Sequence, residues 1–380
     1  MTAETVISRP RRAALLAALL LAAAPAAHGA VLTVTKPADT LDGVCDSDCS
    51  LRDAVVAANA RRGRDVIVLP PGVYRLSRAG SGEDHAATGD LDVRYPLTVI
   101  GAGADKTAID GGGLDRVFDA LGASLELLGL AVQGGRVEGW GAGIRSTGEL
   151  GVYQTLVRGN AALGKSGEGG GLWIQGDLVM HESTVAENLA EGFGGGGILT
   201  LGEEVLLNNS TISGNRAPGS SPAGSFGGFG GGLFAASRDV IVSNTTITGN
   251  VAVLGGGYCV FEEDGPSGGF PTLPPGIGLR NSILAGNTAA AGPDCSGSYT
   301  SDGYNLIGNS SGCHLNVVST GNLVGTPQQP IDPRLGPLAD NGGPTPTHAL
   351  LPGSPALDAG SPKPFEIGTA YCQAIDQRGQ

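Results

Sequence analysis

Beyond Val31 the chain has no hydrophobic run long enough to cross a bilayer as a helix, because each later apolar stretch is interrupted by Gly, Asn, Thr or a charge. The body of the chain is therefore expected to be soluble or surface-attached, with no transmembrane segment. Positive charge is scarce too: 23 Lys and Arg stand against 36 Asp and Glu, a net charge of −13. That sign argues against nucleic acid or anionic lipid as a partner and is compatible with cations or basic partners. Glycine is abundant, 66 of 380 residues, but it lacks a strict three-residue period, and aliphatic residues remain plentiful. Collagen and disorder are both excluded on that pattern. What is left is a chain of many tight turns separated by short apolar strands, long enough to bury a sizeable core.

At the N-terminus, Arg9, Arg11 and Arg12 precede an unbroken Ala/Leu run from Ala13 to Ala24, followed by Pro25 and the small residues Ala26, Ala27, Gly29 and Ala30. A basic segment, a short apolar segment and small residues are the layout of a cleaved secretory signal. Residues 1–29 are expected to be that leader, and the protein is expected to be exported. Removing them takes away three arginines and one glutamate and leaves a net charge of −15.

Self-similarity dominates the middle of the chain. The segments LGVYQTLVRGN, LVMHESTVAEN, VLLNNSTISGN, VIVSNTTITGN and IGLRNSILAGN end at Asn160, Asn188, Asn215, Asn250 and Asn287, spaced 28, 27, 35 and 37 residues apart. Glycine clusters with short apolar stretches lie between them, at Gly169 to Trp173, Gly194 to Leu199, Gly230 to Phe234 and Gly255 to Val260. Each unit reads as strand, Asn turn, loop, Gly turn, strand, turn. Within a unit the apolar residues alternate with period two, and Val and Ile are frequent. Such a unit cannot bury its apolar face alone, so stacking is expected to build continuous columns of Leu, Val and Ile inside a tube. The five Asn residues should stack as well, their amides bonding to the coils above and below in a turn that asks for left-handed backbone. The expected fold is all-β: a single-stranded, right-handed parallel β-helix of about ten coils. Unequal repeat lengths place the longest loops at Ala217–Gly227 and Glu262–Pro275, both rich in Gly, Pro and Ser.

The ends differ from the repeats. Ser50 with Asp53 three residues later is a capping-box signature, and Leu51, Ala54, Val55 and Ala58 follow the spacing of one helical face. An amphipathic helix over residues 50–61 is predicted to cover the N-terminal opening, with Arg61 and Arg62 in its last turn and Gly63 ending it. After about Thr320 the chain is rich in Pro and Gly, with neither helical nor strand period, and is expected to fold back on the last coils. Cys45 with Cys49 and Cys295 with Cys313 are plausible local disulfides among fifteen complete pairings, which leaves Cys259 and Cys372 free or paired with each other.

The stretch CSLRDAVVAAN resembles the CSLREA-domain signature, with Asp53 where that family usually has Glu. TGDLDV, TVIGAGADKTAIDGGGLDRVF and the NSTISGN…GGGL repeats are similar to the β-helix part of the same bacterial surface proteins, of pectate-lyase-like fold. LGPLADNGGPTPTHALLPGSPALDAG and AIDQRG look like a choice-of-anchor Q region. The resemblance implies four segments: a leader at 1–29, an N-terminal cap with the CSLREA-like motif at 30–64, β-helix repeats at 65–320, and a choice-of-anchor Q-like segment at 321–380. It also implies a protein displayed or released at a bacterial surface. Members usually continue past DQRG to another Cys and an anchoring tail, a departure that concerns the partner of Cys372 and the mode of attachment.

Catalytic residues are not obvious. Lysines are few, and no Asp-Asp pair or His-containing strand motif recurs. Glu149, Asp177, Glu204 and Asp239 each precede the first apolar residue of successive coils and should form a column. Stacked carboxylates repel unless bridged, and calcium takes oxygen ligands, so the column is either a calcium ladder or a set of solvated turn residues. Asp90 and Asp92, with Glu83 and Asp84 upstream, form a second acidic group, read as a surface turn beside the first coils. His181 and Arg158 are candidates for the acid/base and electrophile of a sugar-cleaving site without an evident third member. Two functions follow: a monomeric, non-catalytic surface or secreted protein whose regular face binds an extracellular glycan or surface protein, or a polysaccharide lyase or glycoside hydrolase. The missing convergence of Asp, Arg and Lys favours the first.

Overall fold

The computed structural model describes residues 29–219, 227–260, 277–317, 319–362 and 375–380. The expected leader, Cys372, all of Glu262–Pro275 and most of Ala217–Gly227 lie outside the described residues. Among the described residues there are 36 strands and one helix, so the chain is an all-β solenoid.

One full turn shows the plan. Ile144–Ser146, Leu150–Tyr153, Leu156–Arg158 and Ala161–Glu168 follow one another along the chain, and each pairs in parallel with its counterpart in the next turn, Leu172–Ile174, Leu178–His181, Thr184–Ala186 and Leu189–Ala190. Stacking these turns generates long parallel sheets. Sheet 1 contains Leu150–Tyr153 and sheet 2, with ten strands, contains Leu156–Arg158. Sheet 3 contains Ile144–Ser146, and a shorter outer sheet of six strands contains Ala161–Glu168. Sheets 1 and 3 merge near the far end, because Cys295–Gly303 pairs with Tyr258–Val260 through its first residues and with Ile277–Arg280 through later ones.

The core is columnar because register is kept from coil to coil. Leu125, Leu150, Leu178, Val205, Val240 and Ile277 lie in register, as do Leu127, Val152, Met180, Leu207, Val242 and Leu279, and all are buried. Burial of each such side chain is worth about 1.5–3 kcal/mol. Alternate residues point outward, which is why the sequence shows period two.

The Asn residues form one continuous chain of hydrogen bonds. Asn160 Nδ2 donates to Asn188 Oδ1 at 3.0 Å, Asn188 to Asn215 at 3.0 Å, Asn215 to Asn250 at 2.9 Å and Asn250 to Asn287 at 2.9 Å. Asn287 Nδ2 then donates to Asp294 Oδ1 at 2.9 Å. Each amide also donates to a carbonyl of the preceding coil, as Asn188 does to Val157. The left-handed backbone falls not on these residues but on those before them, Gly159, Glu187, Gly214, Gly249 and Gly286. The glycine turns pack against the same column: a Cβ on Gly197 would come within 2.9 Å of the Asn215 amide and 2.6 Å of the Gly232 carbonyl.

The helix spans Leu51–Asn59, with Ser50 as N-cap and a complete capping box to Asp53. It is shorter than predicted, so Arg61 and Arg62 fall beyond its last turn. Ala54, Val55 and Ala58 belong to the same core as Leu32 and Ile67 of the first strands. Cys45 is bonded to Cys49 and Cys295 to Cys313, while Cys259 is a buried free thiol.

The C-terminal segment departs from expectation twice. It has a small sheet of its own, Leu335–Ala339 antiparallel to Thr347–Leu350. It also reaches well back from the last coils to the middle of sheet 2: Thr184 Oγ1 donates to the Pro346 carbonyl, and Gln377 Nε2 donates to Thr184 Oγ1, Thr345 Oγ1 and the Ser183 carbonyl. A row of Ser and Thr hydroxyls on the outer face of sheet 2 supplies the partners that a proline-rich strand cannot provide for itself.

Candidate functional site

The outer face of sheet 3 carries one residue per coil in strict register: Asp92, Asp119, Arg145, Trp173, Leu199, Phe234, Cys259 and Ser296. This column passes from carboxylate to guanidinium to indole to hydrocarbon. Its apolar half forms a second, smaller core outside the solenoid, where Trp173, Leu199, Phe234 and Cys259 are sealed by Phe193, Phe229 and Leu254. The Phe193 ring meets those of Phe229 and Phe234 edge-on at 5.2 and 5.6 Å.

Trp140, from the first strand of the outer sheet, stacks on Trp173 with ring centroids 5.3 Å apart and planes 10° from parallel. Trp173 is buried, its Nε1 donating to Glu168 Oε2 at 3.3 Å, whereas Trp140 is 42% exposed. Burial raises the Glu168 carboxyl above its usual range, against the stabilising hydrogen bond from Trp173. These are the only two tryptophans in the chain, and they form one stack. Arg136 and Glu138 are the other exposed side chains of the same strand.

The charged half of the column is a network. Arg116 Nη1 donates to Asp90 Oδ2 at 2.9 Å and to Asp119 Oδ2 at 3.1 Å. Arg145 Nε donates to Asp119 Oδ1 at 2.8 Å and its Nη2 lies 2.5 Å from Asp119 Oδ2, a two-pronged pair. Arg116 Nε also reaches the Trp140 carbonyl at 3.4 Å, which ties the carboxylates to the tryptophan strand. Asp90, Asp92 and Asp119 are all buried, so the surface turn expected at Asp90 and Asp92 is instead an internal cluster. Burial, then the neighbouring Asp92 and Asp115, pushes the Asp90 carboxyl up to about 8, Arg116 opposing. Burial pushes Asp92 up to about 7, with Glu83, Asp119 and Asp84 adding to it and the Ala86 amide opposing.

The loop over this cluster is held by the helix. Arg52, fully buried, donates from Nη1 to the Ala86 and Asp90 carbonyls at 3.0 and 2.9 Å and from Nη2 to the Gly89 carbonyl at 2.9 Å. Its Nε pairs with Asp39 Oδ1 at 2.7 Å. Glu83 turns inward on its own loop, accepting the amides of His85, Ala87 and Thr88.

The other candidates are dispersed. Glu204 and Asp239 are in register, and Glu149 and Asp177 precede residues that pair, so the column exists as a stack. Glu149, Glu204 and Asp239 are exposed, however, and Asp177 Oδ1 accepts the Glu204 amide at 3.0 Å. Asp90, Asp92 and Asp119 form the one group of three metal-ligating side chains that converges among the described residues. His181 is half-buried between Glu182 and Asn208 on a strand of sheet 1, while Arg158 is exposed on a strand of sheet 2. Sequence reasoning missed the Asp92–Asp119 stack and the tryptophan pair. The signal was present: Asp92 and Asp119 sit centrally in Leu-Asp-Val and Phe-Asp-Ala, 27 residues apart, one repeat length.

Fold and site together define a parallel β-solenoid with an aromatic and charged column on one outer face. No protein-family model, no curated protein and no solved structure matches the chain.

Proposed function

We propose that the chain is an exported, right-handed parallel β-helix of CSLREA and choice-of-anchor Q type that binds a glycan, without cleaving it, on the platform formed by Trp140 and Trp173. In this reading the helix Leu51–Asn59 closes the N-terminal end of the tube. The observation that carries the binding function is the exposed outer face of Trp140, which is supported from below by a buried, parallel Trp173. A rigid indole face is a surface on which the C–H side of a sugar ring stacks, and the flanking Arg136 and Glu138 offer groups for its hydroxyls. The buried state of Asp90, Asp92 and Asp119 favours binding over cleavage, because a general acid must reach the glycosidic oxygen. The two disulfides are compatible with an oxidising compartment outside the cytoplasm. No described helix is long and apolar enough to cross a membrane.

The test uses the chain without residues 1–29 and a panel of soluble and insoluble polysaccharides. Because both tryptophans are in the platform, binding should shift or quench the whole intrinsic tryptophan emission, and Trp140→Ala should weaken binding at least tenfold with little change in melting temperature. Unchanged affinity in Trp140→Ala removes the platform from the function. Release of reducing or unsaturated sugars would replace binding by the carbohydrate-active alternative.

A further inference from the structure

The glycan platform leaves three buried carboxylates without a task. Asp92 and Asp119 are opposite one another in neighbouring strands of sheet 3, and Asp90 stands two residues before Asp92. One oxygen from each lies within 4.8 Å of the other two. Leu91, Val93, Phe118 and Ala120, the residues flanking Asp92 and Asp119, belong to the main core, so both carboxylates project to the same outer face beneath the 83–90 loop. Asp92 is completely inaccessible to solvent; its Oδ2 accepts the Ala86 amide at 2.7 Å, and its Oδ1 is buried with no hydrogen-bond partner. A carboxyl oxygen removed from water with nothing to replace the lost hydrogen bonds is destabilising, and more so when it is ionised.

Neither arginine hydrogen-bonds to Asp92 Oδ1. Arg116 and Arg145 serve Asp90 and Asp119, and Asp115, also buried, lies against Arg116 with its Oδ1 accepting that residue's amide. Asp92 is left with the Ala86 amide as its hydrogen-bond donor, beside three further buried carboxyl groups. A carboxylate that already accepts from an arginine keeps free lone pairs, so the ion pairs do not block further coordination.

We infer that Asp90, Asp92 and Asp119 bind one divalent cation of the calcium type, with Asp92 Oδ1 as a direct ligand. Oxygens on opposite sides of an ion are separated by twice the ion–oxygen distance, about 4.6–5.2 Å for calcium and about 4.0–4.2 Å for magnesium. Oxygens all within 4.8 Å of one another can share one ion of either size, and the choice of calcium rests on the buried all-carboxylate set, which suits an ion that accepts irregular geometry over one that keeps several waters. The role is to hold the loop and the first coils together at the end of the column that leads to the tryptophans. This site is distinct from the acidic column of Glu149, Asp177, Glu204 and Asp239.

Calcium is the probe, added to protein stripped with a chelator. The expected results are retention of one calcium per chain in equilibrium dialysis and a rise of several degrees in melting temperature. Asp92→Asn should abolish both, whereas joint replacement of Asp177, Glu204 and Asp239 by their amides should leave both intact. Absence of calcium retention in the wild-type chain overturns the inference, as does an effect that survives in Asp92→Asn or disappears in the triple variant. Should Asp92→Asn fail to fold, a crystal soaked with a lanthanide decides the matter: an anomalous peak among Asp90, Asp92 and Asp119 supports the site, and a peak elsewhere or none overturns it.

Discussion

His348 Nε2 lies 2.8 Å from Ser213 Oγ, and the other ring nitrogen, Nδ1, lies 2.7 Å from the Gly336 carbonyl. A carbonyl only accepts, so Nδ1 carries the proton and Nε2 accepts from the serine hydroxyl. The neutral imidazole thereby joins the C-terminal antiparallel pair to the middle of sheet 2.

Burial lowers the His348 pKa below its ordinary 6.5, with the Gly336 hydrogen bond opposing. The unfolded chain therefore takes up a proton at a pH where the folded chain does not. Stability from this group is complete above about 6.5 and is lost as pH falls from there toward the depressed folded value. Hydrogen exchange of residues 345–350 should accelerate as pH is lowered from 7.5 to 5, after correction for intrinsic exchange rates. His348→Asn should flatten that dependence, and an unchanged pH profile in the variant would detach the imidazole from docking.

Asn215 illustrates what a ladder position contributes. Its Oδ1 accepts from the backbone and side-chain nitrogens of Asn188, and its Nδ2 donates to Asn250 Oδ1 and the Val185 carbonyl. Replacement by Ala strands donors and acceptors on three coils at once in a fully buried column. A loss of about 3 kcal/mol is expected, from about 1–3 kcal/mol for each orphaned buried group, partly relieved by water. Denaturant unfolding of Asn215→Ala measures it. A loss below about 1 kcal/mol would mean that the ladder is replaceable by solvent.

Arg52 is the largest completely buried side chain among the described residues, and its partners are Asp39 and three carbonyls of the loop that covers the aspartate cluster. Removing one member of a buried ion pair costs about 3–5 kcal/mol, because the remaining charge is left in low dielectric. Arg52→Ala should lose that much stability. Arg52→Lys should recover only part, since one ammonium cannot span the positions that the planar fork reaches. Equal stability of the Lys variant and the wild type would contradict the fork geometry.

How much of this was legible depended on whether a residue acts along the chain or across it. Asn160 through Asn287 were visible because a stacked column imposes a common motif on every coil. Ser50 and Asp53 were visible because a capping box spans three residues. The Asp92–Asp119 pair escaped because the first coils carry no terminal Asn from which to align them. Arg52 sits within a recognisable motif, yet helical period alone places it on a helix and says nothing of the loop it clamps. Gln377 is harder still: its contacts to Ser183 and Thr184 bridge 194 and 193 residues, and no local pattern encodes them. The same distance explains why the proline-rich segment was expected on the last coils.

Cys259 offers a test of the second core that is independent of any ligand. It packs with Trp173, Leu199 and Phe234, is 2% exposed, and burial pushes its thiol up to about 12, with a hydrogen bond to Ser296 opposing. A thiol reagent needs both access and thiolate, and this position provides neither near neutrality. In a Cys372→Ser chain, whose four cysteines other than Cys259 are paired as Cys45–Cys49 and Cys295–Cys313, labelling at pH 8 should be negligible in the native state and complete in denaturant. Trp173→Ala opens a cavity beside the thiol and should speed labelling by more than tenfold, since losing a buried Trp costs about 3–5 kcal/mol of local and global stability. Trp140→Ala removes a half-exposed ring and should leave the rate close to that of the parent. Rapid labelling of the parent chain would show that the hydrocarbon half of the column opens readily, and the platform above it would then lack the rigid support on which glycan binding depends.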